Sequence, residues 1–156
     1  MHSSRPGCPD GFGTDDMLNC DRLVEYVRLS CRRDVFWLDT VGRSGLELLP
    51  GGFPEGSHVR RLHVVRPGVV GSTVADENIW TRELRSFVRT VETRTVAMSA
   101  LGEWLTNDDF LLVDDRAVVR LVFDDHNRFL FARPAPELLD RYRFVRDAWW
   151  RTADRT

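Results

Sequence analysis

From Asp109 to Pro134 the chain reads DFLLVDDRAVVRLVFDDHNRFLFARP, three apolar runs interrupted by two aspartate pairs, Asp114/Asp115 and Asp124/Asp125. Short runs rich in Val, Leu and Phe, bounded by Asp and Asn, have the length and punctuation of strands. Asp and Asn side chains bond nearby backbone amides and tolerate left-handed geometry, so DDRA and DDHN read as turns. The spacing predicts a three-stranded antiparallel meander over 110–113, 117–123 and 128–133. Alternation puts Val119, Leu121 and Phe123 on one face of the middle strand and Val118, Arg120 and Val122 on the other.

Such a sheet needs a covering layer, and the C-terminal segment can provide one. ARPAPELL ends the last strand, with Pro136 suited to a first helical turn. Leu138, Tyr142, Val145 and Trp149 then form one apolar stripe on a helix over about 136–152. Arg141, Arg143, Arg146 and Arg151 alternate with Asp140, Asp147 and Asp154, the pattern of a solvated, internally neutralised face. Trp150 stands beside the stripe and is expected to be exposed as a contact residue.

Nearer the N-terminus, residues 1–14 combine Gly, Pro and Ser and are expected to form a flexible tail with Cys8 exposed. Thr14 or Asp15 is placed to cap a helix to about Leu29, with Met17, Leu18, Leu23, Val24 and Val27 as its apolar stripe. VFWLDT at 35–40 reads as a strand, and GRSGLELLPGG after it as a hairpin or loop. In the strand beginning at Val59, Val59, Arg61, His63 and Val65 oppose Arg60, Leu62 and Val64. Both faces are mixed, which suggests an edge position or a pocket alongside.

Helical spacing returns through Ile79, Trp80, Leu84, Phe87, Val88 and Val91, with Asp76 as N-cap and Glu77 in the first turn. A strand over 94–101 follows. Strand, helix, strand is the order of a βαβ unit with parallel pairing. The expected fold is therefore one α/β (α+β) domain over 15–156: a mixed sheet of about five to seven strands, a C-terminal meander and packed helices.

A chain of 156 residues can bury one core without disulfide or metal support. Its formal net charge of -2 supplies no excess positive field for nucleic acid or an anionic membrane. All 22 basic residues are arginine, which excludes Schiff-base chemistry and a phosphate-loop lysine. Cys8, Cys20 and Cys31 form an odd set without a C-x-x-C pair, and no secretory signal is seen, so a reducing cytoplasm is expected. No apolar run approaches the roughly 20 residues of a membrane span.

The candidate chemistry is sparse. Asp124, Asp125 and His126 are consecutive, and consecutive side chains diverge, so a turn is expected there and neither a metal nor another cofactor. Asp114 with Arg116 is a candidate ion pair or ligand clamp. Cys31 precedes Arg32-Arg33 and has His63 as a potential base, the elements of a thiol nucleophile; the competing reading makes Cys31 a small core residue and His63 a hydrogen-bonded strand histidine. Asp114 and Arg120 are the meander residues most open to a functional role.

The element order from Val35 onward resembles the domain of unknown function 6879 family, small proteins typical of actinobacteria. The matching residues are Val59-Arg60-Arg61-Leu62-His63-Val64-Val65, Glu83-Leu84, Asp109-Phe110 through Arg116, Phe123-Asp124-Asp125, Arg128-Phe129-Leu130 and Ala148-Trp149. The chain departs from the family in a shorter linker, GRSGLELLPGGFPEG, in the segment before Thr14, and in Thr81-Arg82-Glu83 where the family has Arg-Trp-Glu. Such proteins accompany helix-turn-helix regulators, so the resemblance implies a regulatory or partner-binding role. More distantly, the strand, Asp-Asp turn, strand and Trp-ended helix look like half of a phospholipase D superfamily fold. That superfamily uses a His-x-Lys motif, which a chain without lysine cannot supply.

The expected function is that of a non-catalytic cytoplasmic protein binding a small molecule or protein partner in a regulatory or biosynthetic context. Arg61, Glu83, Asp114, Arg116, Arg120 and Trp150 are its candidate contact residues. The alternative is a small enzyme with an acid-base pocket of His63, Arg61, Glu83 and Asp114.

Overall fold

The computed structural model describes residues 8–66, 84–85, 88, 90–100 and 109–155. Among them are helix α1 (Cys20–Ser30), strands β1 (Asp34–Thr40), β2 (His58–Val65), β3 (Thr90–Ala97), β4 (Asp109–Val113), β5 (Ala117–Phe123) and β6 (Phe129–Pro134), helix α2 (Leu139–Thr152) and the two-residue β7 (Asp154–Arg155). The strands form one mixed sheet in the order β6-β5-β4-β1-β2-β3-β7.

Strands β4, β5 and β6 are the expected meander, antiparallel throughout. Its turns work through the aspartates. Asp114, Asp115 and Asn127 adopt left-handed backbone with φ of 53°, 58° and 61°. Asp124 Oδ1 accepts the N–H groups of His126 at 2.8 Å and Arg128 at 3.0 Å, which closes the second turn.

The pairs β1–β2 and β2–β3 are parallel. Parallel neighbours cannot be joined by a hairpin, so of the two readings of GRSGLELLPGG only the loop survives. Its 3₁₀ turn, Leu49–Gly52, packs against α1. Strand β2 is central, not an edge; its mixed faces are explained by buried charges. Most of the helix expected before β3 lies outside the described residues, as do Asp76, Glu77, Trp80, Glu83 and Trp104. Leu84 and Val88, which are described, are buried. β3 starts at Thr90, four residues earlier than its pattern suggested.

Each face of the sheet carries its own core. On one face Val35, Trp37, Val59, Leu111, Val113 and Val119 pack with Leu23, Tyr26 and Val27 of α1 and with Leu49 and Phe53. On the other, Phe36, Leu38, Leu62, Phe110 and Leu112 meet Tyr142, Val145, Trp149 and Trp150 of α2. Tyr142 stacks on Phe110 with ring centroids 4.0 Å apart. Trp150 is therefore not the exposed contact residue expected: it is 8% exposed, set edge-on to Phe36 and covered by the Arg94 guanidinium. Among the described residues no helix is long and apolar enough to cross a membrane.

At the N-terminus the helix begins later than expected. Leu18 and Ala132 exchange N–H···O bonds of 2.7 and 2.8 Å, so Leu18 extends the edge of β6. Asn19 then caps α1, its Oδ1 accepting the Arg22 N–H at 2.9 Å, while Met17 is left 67% exposed. In the segment read as a tail, Phe12 is buried, edge-on to Tyr26 at 5.2 Å and under the Arg22 guanidinium.

Candidate functional site

Parallel strands leave side chains of one parity together at their carboxyl ends, a position where open α/β sheets commonly bind ligands. Here that parity carries charge. Trp37 and Asp39 of β1 register with Arg61 and His63 of β2 on the α1 face. From the opposite direction β4, antiparallel to β1, brings its first residue, Asp109, beside Thr40. Five polar side chains, Asp39, Thr40, Arg61, His63 and Asp109, are thus buried at one end of the sheet.

Beyond Thr40 the chain must turn sharply. Gly42 and Gly45 supply φ of 97° and 101°, and a Cβ at Gly45 would stand 2.8 Å from the Phe129 Cβ. The loop is pinned there: the Ser44 N–H donates to the Asn127 carbonyl at 2.9 Å, and the Phe129 N–H to the Ser44 carbonyl at 2.8 Å. Between the glycines Arg43 folds back over the strand ends. Its Nη1 donates to Asp109 Oδ1 at 2.8 Å. Thr40 completes the cradle, donating from its N–H to Oδ2 at 2.9 Å and from Oγ1 to Oδ1 at 2.7 Å.

Arg61 and Asp39 form the second ion pair, both buried. Each guanidinium also lies over an aromatic ring: Arg61 is 4.6 Å from the Trp37 centroid and Arg43 is 4.8 Å from that of Phe123. The result is a pocket of about 120 Å³ lined by Trp37, Asp39, Arg43, Ser44, Leu46, Glu47, Arg61 and Phe123.

Burial governs the protonation of this cluster. It pushes the Asp109 carboxyl up to about 7, helped by the charge of Asp39 and opposed by Arg43 and Thr40. It also raises Asp39, against the pull of Arg61. His63 is driven down to about 2 by burial and by the neighbouring Arg61 charge. At neutral pH His63 is an uncharged imidazole, with its Nδ1 3.8 Å from Asp39 Oδ2.

Of the candidates read from the sequence, the structure joins Arg61 and His63 here and sends the others elsewhere. Asp114 sits at the opposite end of β1, where its carboxylate accepts the N–H groups of Arg32, Arg33 and Asp34 at 2.8, 2.8 and 2.9 Å. The five steps from Asp34 to Asp39 separate it from His63 by about 16 Å. Arg116 is exposed in the turn and, among the described residues, makes no ion pair with Asp114. Arg120, half-buried in β5, pairs across the strands with Phe110 and so lies on the α2 face. Glu83 is outside the described residues.

Cys31 is buried, and burial with the charges of Asp114 and Asp34 pushes its thiol up to about 12. A nucleophilic thiol needs the opposite shift. Burial outweighs everything else in its environment, and the nearby Asp114 and Asp34 charges add to it.

Asp39, Arg43 and Asp109 escaped the sequence reading. The available signal was a charged residue in the apolar strand VFWLDT, at the same parity as Trp37.

A mixed sheet with helices on both faces and a polar cluster at the carboxyl ends of its parallel strands defines the class as an α/β domain. Within it, the chain is similar to Nuc, a phospholipase D family member from Salmonella typhimurium, at 11% identity and a TM-score of 0.57, covering 97% of this chain and 96% of that one. It is also similar to TrmBL2, an archaeal chromatin protein whose structure shows a novel mode of DNA binding, at 9% identity and a TM-score of 0.55; the match covers 100% of this chain and 57% of that one. At these identities the likeness is one of fold, and at that level it agrees with the phospholipase D-like topology expected from the meander and the Trp-ended helix. By sequence, no family model and no curated protein matches the chain.

Proposed function

We propose that this chain is a non-catalytic cytoplasmic protein that binds a small molecule, or through it a protein partner, in a regulatory or biosynthetic context. Its ligand site is the pocket at the carboxyl ends of β1 and β2. One observation carries this reading: two guanidinium groups, each stacked on an aromatic ring and paired with a buried aspartate, line a single opening. The arrangement is pre-organised for polar recognition. The resemblance drawn from the sequence to the domain of unknown function 6879 family, which no family model matches, implies the same kind of role.

Several features weigh against the acid-base alternative. An imidazole with its pKa near 2 exchanges no proton at neutral pH, and Asp114 is committed to backbone amides at the far end of β1. The DNA binding of the archaeal neighbour is not carried over. The formal charge is -2, and on α2 Arg143 and Arg146 are paired with Asp115, Asp140 and Asp147.

The test is a thermal-shift and calorimetric screen of small polar metabolites against the wild type and Ser44→Trp, which fills the mouth from an exposed position. A 1:1 ligand lost in the variant supports the proposal. Sustained turnover of any compound by the purified protein overturns it.

A further inference from the structure

We propose that Asp109 and Arg43 form a proton-controlled latch on the wall of the pocket. With the carboxylate ionised, Arg43 is held across the strand ends; with it protonated, the guanidinium is released to water. The latch belongs to the pocket wall and works whatever occupies the pocket.

Three donors meet Asp109: Arg43 Nη1 at 2.8 Å and Thr40 Oγ1 at 2.7 Å on Oδ1, and the Thr40 N–H at 2.9 Å on Oδ2. An ionised carboxylate accepts all three. Once protonated it is a donor itself, and of these partners only the Thr40 hydroxyl can turn round to accept, because a guanidinium has no acceptor. The Arg43 bond then loses the ionised half of its pair and weakens.

Arg43 is the partner able to leave. Thr40 is fixed in β1, whereas Arg43 stands between Gly42 and Gly45, both with positive φ. Ser44 stays bonded to Asn127 and Phe129, so the motion is that of one residue and its side chain. Among the described residues the guanidinium is otherwise held by the Phe123 ring and the charge of Asp39. Its side chain is 16% exposed, and a charge left there without a bonded carboxylate gains by moving outward to water.

The groups facing Asp109 set where the latch turns over. Burial dominates; Asp39 of β1 opposes ionisation and Arg43 favours it, and the carboxyl is pushed up to about 7. From β2 come Arg61, paired with Asp39, and His63, uncharged at neutral pH. β5 contributes Leu121, which pairs with Asp109, and the Phe123 ring, and Glu47 stands at the pocket mouth.

The experiment is carbon-detected NMR of the guanidinium groups in the full chain, with Arg43 assigned by its loss in Arg43→Lys. At about pH 8 the two Arg43 Nη nitrogens are expected as separate signals, because the bond from Nη1 hinders rotation about Nε–Cζ. At about pH 5.5 that rotation is expected to be at least about tenfold faster, merging the signals. The midpoint should follow titration of the Asp109 carboxyl carbon, while the β4 backbone amides keep their protection from exchange. Asp109→Asn, similar in size and uncharged, is expected to show the merged signal at both pH values; should it not fold, the wild-type series decides alone. Signals that stay separate in the variant, or in the wild type while Asp109 titrates, overturn the latch, as does an Asp109 that does not titrate in this range. Loss of β4 protection together with the Arg43 change overturns it too, since that is unfolding of the sheet.

Discussion

Arg43 and Asp109, 66 residues apart in sequence, meet at 2.8 Å across the ends of β1 and β4. The contact ties the loop that carries half of the pocket lining to the buried polar cluster. It holds a carboxylate whose proton is released only near pH 7 in the folded chain, against 3.8 for the ordinary group, chiefly because of burial.

That difference fixes the sign of a pH effect. Between about 3.8 and 7 the folded chain binds more protons at Asp109 than the unfolded chain, so this group's contribution to stability falls as pH rises through the window. Asp109→Asn removes the titration. Urea unfolding of both proteins from pH 4 to 8 is expected to show the stability of wild type relative to the variant declining to about pH 7 and then levelling. A flat or rising difference would contradict the assignment.

Asp114 acts as an external cap on the start of β1, accepting three backbone N–H groups from the segment that follows α1. Hydrogen bonds to a charged acceptor contribute about 1.5–3 kcal/mol each when buried and less at this half-exposed site. Asp114→Ala loses all three and places alanine at φ 53°, so a loss of at least about 2 kcal/mol is expected in chemical denaturation. Asp114→Asn keeps one acceptor and a side chain that tolerates left-handed backbone, and should lose less. Equal losses would show that the amide contacts are incidental.

Gly52 lies where the 3₁₀ turn crosses α1, and a Cβ there would be 2.6 Å from the Val24 carbonyl oxygen. Backbone cannot swing aside as a side-chain end can. Gly52→Ala is expected to destabilise by about 1–3 kcal/mol, the cost of overpacking. Gly56→Ala, with nothing within 4 Å, is the control and should leave the melting temperature unchanged.

Cys31 offers a chemical readout of the core. With its thiol pushed up to about 12 and its side chain buried, it should resist a disulfide reagent at pH 8 in the native state and react on unfolding in urea. Mass mapping of the labelled residue in each state decides this. Rapid native labelling at Cys31 would mean that this face of the sheet opens readily.

Local pattern was enough for the meander and for the apolar stripe of α2. Period-two alternation, aspartates that accept left-handed backbone, and Tyr142, Val145 and Trp149 at helical spacing are all properties of contiguous residues. They survive in any fold that buries one face. The start of α1 was misread because Met17 and Leu18 fit a helical stripe, yet Leu18 found hydrogen bonds on β6, 114 positions away at Ala132. Trp150 was misread because its cover, Phe36 and Arg94, lies on strands distant in the chain. The candidate site shows the same divide most clearly. Alternation put Arg61 and His63 on one face of β2, but their neighbours Asp39, Arg43 and Asp109 depend on the register of β1 with β2 and with β4. Register between strands far apart in sequence is chosen by packing both faces of the whole sheet at once, and a charged residue's short-range pattern carries no record of which opposite charge that choice will place beside it.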